Sequence, residues 1–241
     1  MKLVINISPK KIAQSLAVVT LALSTISIFL EFAKNSLGYQ GLSELARIFN
    51  VGRDDSIPTW YASFVLLLCA LLLAIIARVK KLNCDRYVLH WQVLAIIFLG
   101  FSIDEVAVIH EHLGKLPGLN VSKTGFLFYR WVAVGIPLTL LIVAAYFKFL
   151  IHLPRKTKLL FVVAGALFIG GAIGAEVFAA RYDYLYGTAS MPYAITTTVE
   201  EFLEMLGVVV FVYALLSYIS SYIKEMRVQV KDVMQLLRKV S

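Results

Sequence analysis

Long apolar runs along the chain alternate with short polar segments, and the apolar positions run all round each predicted helix instead of down one stripe. Six stretches, at about 12–33, 57–79, 88–113, 125–151, 158–181 and 196–223, each supply the roughly 20 mostly apolar residues that cross a hydrocarbon core of about 30 Å. Helices of this kind have nothing polar to show water, so they belong in lipid or in a bundle interior. The pattern predicts an all-α, polytopic six-helix transmembrane bundle over residues 1–223 and a basic tail over 224–241. In the tail, Met226, Val230, Val233, Met234, Leu236 and Leu237 fall near one face, as in an amphipathic helix that lies on an anionic leaflet. The first loop holds the amphipathic piece Leu42–Phe49 between glycines, which predicts a short interfacial helix.

Composition agrees with the pattern. At 60% hydrophobic and 16% charged, the 241 residues lie outside the balance of a water-soluble globule. The net charge of +8, from 23 Lys and Arg against 15 Asp and Glu, would in a soluble chain suggest nucleic acid; here the expected partner is the bilayer, with no nucleic acid. Sorted by loop, 16 basic residues lie on one side: Lys2, Lys10 and Lys11; Arg78, Lys80, Lys81 and Arg86; Lys148, Arg155, Lys156 and Lys158; Lys224, Arg227, Lys231, Arg238 and Lys239. Six lie on the other, Lys34, Arg47, Arg53, Lys115, Lys123 and Arg181, and Arg130 falls inside the fourth span. Short basic loops stay cytoplasmic, so both termini are expected there, in a plasma membrane and on the resemblance given below a bacterial inner membrane. The first span follows Lys10 and Lys11 like a signal peptide but is too long for one and is read as retained. Cys69 and Cys84 support neither a disulfide framework nor a CxxC metal pattern.

Charge of the other sign carries the candidate chemistry. Seven of the 15 acids, Asp104, Glu105, Glu111, Glu176, Glu200, Glu201 and Glu204, fall within spans or near their ends. Facing lipid they would cost on the order of 15–20 kcal/mol, so they must face protein or water. The predicted topology puts all of them in the non-cytoplasmic half. On the third span Asp104, Glu105, Glu111 and His112 fall within roughly 120° of arc; on the sixth Glu200, Glu201 and Glu204 fall within about 100°, with Thr197 among them and Gly207 beside them for close helix approach. With Arg130 as the one nearby span arginine, these carboxylates cannot all be ionised in a low-dielectric bundle, and protons or a cation must compensate.

One imidazole among carboxylates suits a divalent Zn, Fe or Mn ion, with Glu105, His112, Glu201 and Glu204 as expected ligands. Asp104 and Glu200 are then the expected catalytic acid–base groups, supported by Ser102, Glu111, Arg130, Glu176 and Thr197. The bland alternative is a hydrogen-bonded network of these acids with Arg130, Ser102, Thr197 and Thr198, with His110, Glu111 and His112 as solvated helix ends. A haem between His90 and His152 is not expected, because no outer His pair completes such a site. Walker A, GxGxxG and HExxH runs are absent from the sequence, so no nucleotide is expected either.

Three resemblances bear on this. The strings Phe101-Ser102-Ile103-Asp104-Glu105 through His110-Glu111, and Glu200-Glu201 through Glu204-Met205-Leu206-Gly207, resemble those of uncharacterised bacterial multi-span proteins, which implies a membrane location and no particular activity. Ser102, Asp104 and His112 resemble part of the Ser, Asp and His set of the alkaline ceramidase and adiponectin-receptor intramembrane hydrolases, whereas Glu200, Glu201 and Glu204 replace the HxxxH pair of their last helix. The tetrads Ser102–Glu105 and Thr198–Glu201 resemble each other, but lie on the same side of the membrane and so do not form an inverted repeat. Di-iron carboxylate bundles need two Glu-x-x-His helices, and the sequence has none.

Three classes of function follow. The leading expectation is a metal-dependent enzyme, a hydrolase that polarises a lipid-derived substrate or activates water near the outer leaflet. The second is a carrier or channel for protons or cations, against which stand the largely apolar inner halves of the spans. The third is an assembly subunit without chemistry, packed through Ala164, Gly170, Gly171, Gly174 and Ala175 of the fifth span. Spacing does not fix the oligomeric state.

Overall fold

The computed structural model describes residues 8–109 and 131–222. Among these every regular element is helical, and six runs are long and apolar enough to cross a membrane. The protein is an all-α, multi-pass membrane bundle. Its helices are α1 (Pro9–Ser36), α2 (Ser43–Phe49, entered through a 3₁₀ turn at Gln40–Leu42), α3 (Ile57–Leu82), α4 (Val88–Ala107), α5 (Val132–His152), α6 (Arg155–Ile169), α7 (Glu176–Tyr186) and α8 (Met191–Tyr222).

Local chemistry sets the helix starts. Ser8 and Ser56 each accept a hydrogen bond from the backbone N–H three residues on, from Lys11 and Thr59, and a proline opens the first turn of α1 and α3. These are N-caps, which satisfy one of the donors a helix start leaves free. The short helix expected in the first loop is α2. Glu31 of α1, 7% exposed, holds that loop in place by accepting from Lys34, Asn35 and Asn50.

Several span limits differ from those expected. The first, second, fifth and sixth spans run longer, as Pro9–Asn35, Ile57–Leu82, Arg155–Tyr186 and Met191–Tyr222, because tyrosines and end charges continue a helix after hydropathy has fallen. The third, expected over 88–113, leaves regular helix at Ala107: Val108 takes a left-handed conformation, φ 53° and ψ 39°, and its N–H bonds the Asp104 carbonyl at 2.7 Å. The arc reckoned for Glu111 and His112 assumed an unbroken helix. Both residues, with His110, Arg130 and the tail over 224–241, lie outside the described residues.

α8 is the hub. It packs against α1, α3, α6, α7 and the turn between α6 and α7, whereas α4 leans chiefly on α3, and α5 meets α6, that turn and, through Tyr146 and Phe149, the start of α4. Two glycines let the backbones close up. A side-chain carbon at Gly207 of α8 would stand 2.8 Å from Phe168 N and 2.9 Å from the Ala164 carbonyl on α6. Below this contact the core is aromatic: Trp91, 1% exposed, packs on Phe149, Phe161 and Tyr218.

Candidate functional site

Between α6 and α7 the chain forms one π-helical turn, Gly170–Ala175, without leaving the helical run. Such a turn widens the helix by one residue and is frequent at functional sites. Here Gly171, buried, is where the turn meets α8: a side-chain carbon on it would stand 2.7 Å from both the Glu200 carbonyl and Cγ of Glu204. The absence of a side chain at Gly171 thus sets how closely the acidic part of α8 approaches. Glu176 follows directly, as the first residue of α7.

The carboxylates of α4 and α8 meet beside this turn. Glu105, Glu201 and Glu204 line one cavity of about 10 Å³, walled on its other sides by Tyr61, Val65, Phe168 and Met205, among others. That volume suits one water or one bare ion. Asp104, Glu105 and Glu176 are close electrostatic neighbours of Glu204, and Asp54 of the first loop is a neighbour of Glu201.

Glu200 takes another direction. It is 6% exposed and faces Glu176 at hydrogen-bonding distance, while Glu176 accepts from Trp131 Nε1 at 3.1 Å. The two expected acid–base residues, Asp104 and Glu200, therefore flank the cavity without lining it. Ser102 is spent on packing: its hydroxyl donates to the Ser63 carbonyl at 2.9 Å, and Ser63 returns the bond to the Ser102 carbonyl at 2.7 Å. Thr197 presses its methyl against Gly52, and its buried hydroxyl has no hydrogen-bond partner among the described residues. Thr198 turns its hydroxyl to the Ala194 carbonyl of its own helix.

Three of the four expected metal ligands, Glu105, Glu201 and Glu204, thus share a cavity, and the fourth, His112, lies outside the described residues. Among the described residues no three His, Cys, Asp or Glu side chains converge closely enough to hold a metal ion. At the far end of the bundle His90 and His152 both pack against the Tyr87 ring, at 5.0 and 4.8 Å between centroids, and His90 stacks on Phe149.

Sequence reading did not single out Tyr61, Asp54 or the π turn. Tyr61 and Asp54 sit on α3 and in the loop before it, outside the two acidic helices. No period in the sequence marks a single widened turn.

A multi-pass helical membrane protein is the class that this geometry defines. The chain belongs to the family of the domain of unknown function DUF8692, whose model matches residues 13–219. No curated protein and no solved structure matches it.

Proposed function

We propose that the protein is an ion carrier or channel of the membrane, in which Glu105, Glu201 and Glu204 take up protons or one small cation from the non-cytoplasmic side. In this reading both termini are cytoplasmic, the basic collar of 16 residues faces an anionic inner leaflet, and the membrane is the inner membrane of a bacterium. The observation that carries it is the cavity: three glutamates are among the residues that line about 10 Å³, which admits a water or an ion and is far smaller than a lipid-derived substrate. Buried carboxylates at one depth are a costly arrangement that ion pathways use. Their mutual repulsion is relieved when a proton or cation enters, which makes uptake favourable.

The metal-dependent hydrolase draws on the same residues. It gains support from the shared cavity of Glu105, Glu201 and Glu204, and needs His112 as a fourth ligand together with a wider opening. Reconstitution into liposomes separates the two. Carrier function predicts ion-dependent flux that Glu201→Gln and Glu204→Gln abolish. A purified protein that moves no ion and carries one transition-metal ion per chain, lost in Glu105→Ala or Glu201→Ala, would favour the enzyme instead.

A further inference from the structure

The first loop reaches α8 beside the carboxylate cavity. Between α2 and α3 the chain runs over residues 50–56, and Gly52, Arg53, Asp54 and Asp55 are exposed. Gly52 nevertheless lies against α8: a side-chain carbon on it would stand 2.5 Å from the Thr197 methyl and 3.6 Å from Thr197 Cβ. Thr197 sits one turn before Glu201 on the same face of the helix. Two residues past Gly52, Asp54 is a close electrostatic neighbour of that same Glu201, which lines the cavity. The loop and the cavity therefore share one stretch of α8.

Two features make this a contact that can open. The first is Thr197 itself, which is 8% exposed and keeps a buried hydroxyl with no hydrogen-bond partner among the described residues. Thr196 and Thr198, on either side, turn their hydroxyls to the carbonyls of Pro192 and Ala194 on their own helix. A hydroxyl buried without a partner disfavours the closed arrangement, and water meets it once the loop lifts. The second is how the loop is held. Against α8 Gly52 has carbon on carbon, while the bonds that anchor the loop run to other helices. Glu31 of α1 accepts from Asn50 Nδ2 at 2.9 Å, Ser27 Oγ accepts from the Val51 N–H at 3.1 Å, and on α3 Thr59 Oγ1 donates to the Arg53 carbonyl at 2.7 Å. Hydrogen bonds of this kind are of modest net strength, and a segment held by few of them opens before the bundle does.

We propose that residues 52–55 form a lid over the carboxylate cavity, which admits an ion to Glu201 when Gly52 lifts from Thr197 and encloses it when Gly52 returns. The proposal rests on the carrier reading and adds its outer gate. A cavity with room for one water or one bare ion does not pass an ion with its hydration shell, so a neighbouring segment has to move in each cycle. Asp54 travels with the lid, and a cation that arrives from this side meets its carboxylate before that of Glu201.

A disulfide between the two positions tests the lid. The 3.6 Å from the side-chain position of Gly52 to Thr197 Cβ falls in the range of about 3.5–4.5 Å that a disulfide takes, and Thr197→Cys removes the methyl that a side chain at Gly52 would strike. Gly52→Cys and Thr197→Cys are combined in a Cys84→Ser background, Cys69 being buried, and the full chain is reconstituted into liposomes. With the bond formed, ion flux should fall at least tenfold and dithiothreitol should restore it. Either cysteine alone should give the same flux with and without the reductant. Undiminished flux through cross-linked protein would overturn the lid and leave the carrier reading standing. A pair that an oxidant does not cross-link would overturn it as well, since loop and α8 would not be in contact.

A second readout needs no flux. In Thr197→Cys alone, a charged, membrane-impermeant thiosulfonate should label the buried thiol at a measurable rate. Glu31→Ala and Ser27→Ala, each the loss of one hold on the loop, should speed that labelling several-fold, with the elution profile confirming that each variant is folded. Equal rates in all three proteins would overturn the lid. A wild type that moves no ion, while labelling still follows the loop, would remove the carrier reading and keep the lid.

Discussion

Gly171 and Glu204 touch where no side chain fits between them: a carbon on Gly171 would lie 2.7 Å from Glu204 Cγ and equally close to the Glu200 carbonyl. Gly171→Ala must therefore push the π turn away from α8, and overpacking of this kind costs about 1–3 kcal/mol. Gly165 on α6 has open space around the same position, and there alanine should be neutral or stabilising by up to about 1 kcal/mol. Thermal unfolding of both variants in detergent checks the pair. Equal midpoints would mean that the turn does not press on α8.

Ser63 and Ser102 form a reciprocal clasp between α3 and α4. Removing either hydroxyl should cost about 1 kcal/mol, and removing both less than twice that, because the first loss already opens the clasp. A double-mutant cycle measures the coupling. Full additivity would show two independent serines.

Glu31 binds Lys34, Asn35 and Asn50 at the end of α1. Glu31→Ala leaves the part-buried Asn50 amide and Lys34 ammonium without their acceptor, a loss of about 1–2 kcal/mol. The loop around Asn50 should then open, and trypsin should cut faster at Arg47 and Arg53, which in the native protein pair with Asp55. Unchanged cleavage would assign the hold on this loop to other contacts, such as Ser27 with Val51.

Asp85, between α3 and α4, gives a pH prediction. Burial alone raises its carboxyl, but the hydrogen bonds from Lys80 and the Tyr87 N–H, with the charges of Lys80 and His152, outweigh it and hold the group below its ordinary value. A depressed carboxyl contributes stability that is present above its unfolded value of about 3.9 and is lost as pH falls through the lower folded value. Asp85→Asn should therefore unfold more readily than wild type at pH 7, by up to about 1 kcal/mol, and the gap should close below about pH 4. Thermal midpoints across pH read this directly. A gap that persists in acid would assign the effect to packing.

How much of this was legible in the sequence depends on the size of each signal. Six spans stand out because some twenty apolar residues in a row have no other stable use. The π turn at Gly170–Ala175 shifts a helix by one residue, and nothing in the pattern around Gly171 marks that shift. Carboxylates were legible as a group because charge in a span is expensive, so Glu105, Glu201 and Glu204 stood out on two helices. The arc argument also grouped Glu200 with Glu201 and Glu204; Glu200 lies about 100° from Glu201 and one turn before Glu204, and at that height it meets Glu176. The buried hydroxyls of α1 escaped for the opposite reason. Thr20, Ser24 and Ser27 barely lower the hydropathy of an apolar helix, and hydroxyls in helices usually satisfy themselves.

The place of α8 at the centre of the bundle has a consequence for biosynthesis. Chains emerge from the ribosome N-terminal end first, and spans insert one after another before they pack. α8, the last of the six, is also the one that α1, α3, α6 and α7 all pack against. Until it enters, α3 and α4 can pair with each other, but α1, α6 and α7 lack the helix that they mainly pack against. A ribosome stalled before residue 191 would leave five inserted helices for the cell's membrane proteases, and the arrival of α8 is the step that turns them into one protein.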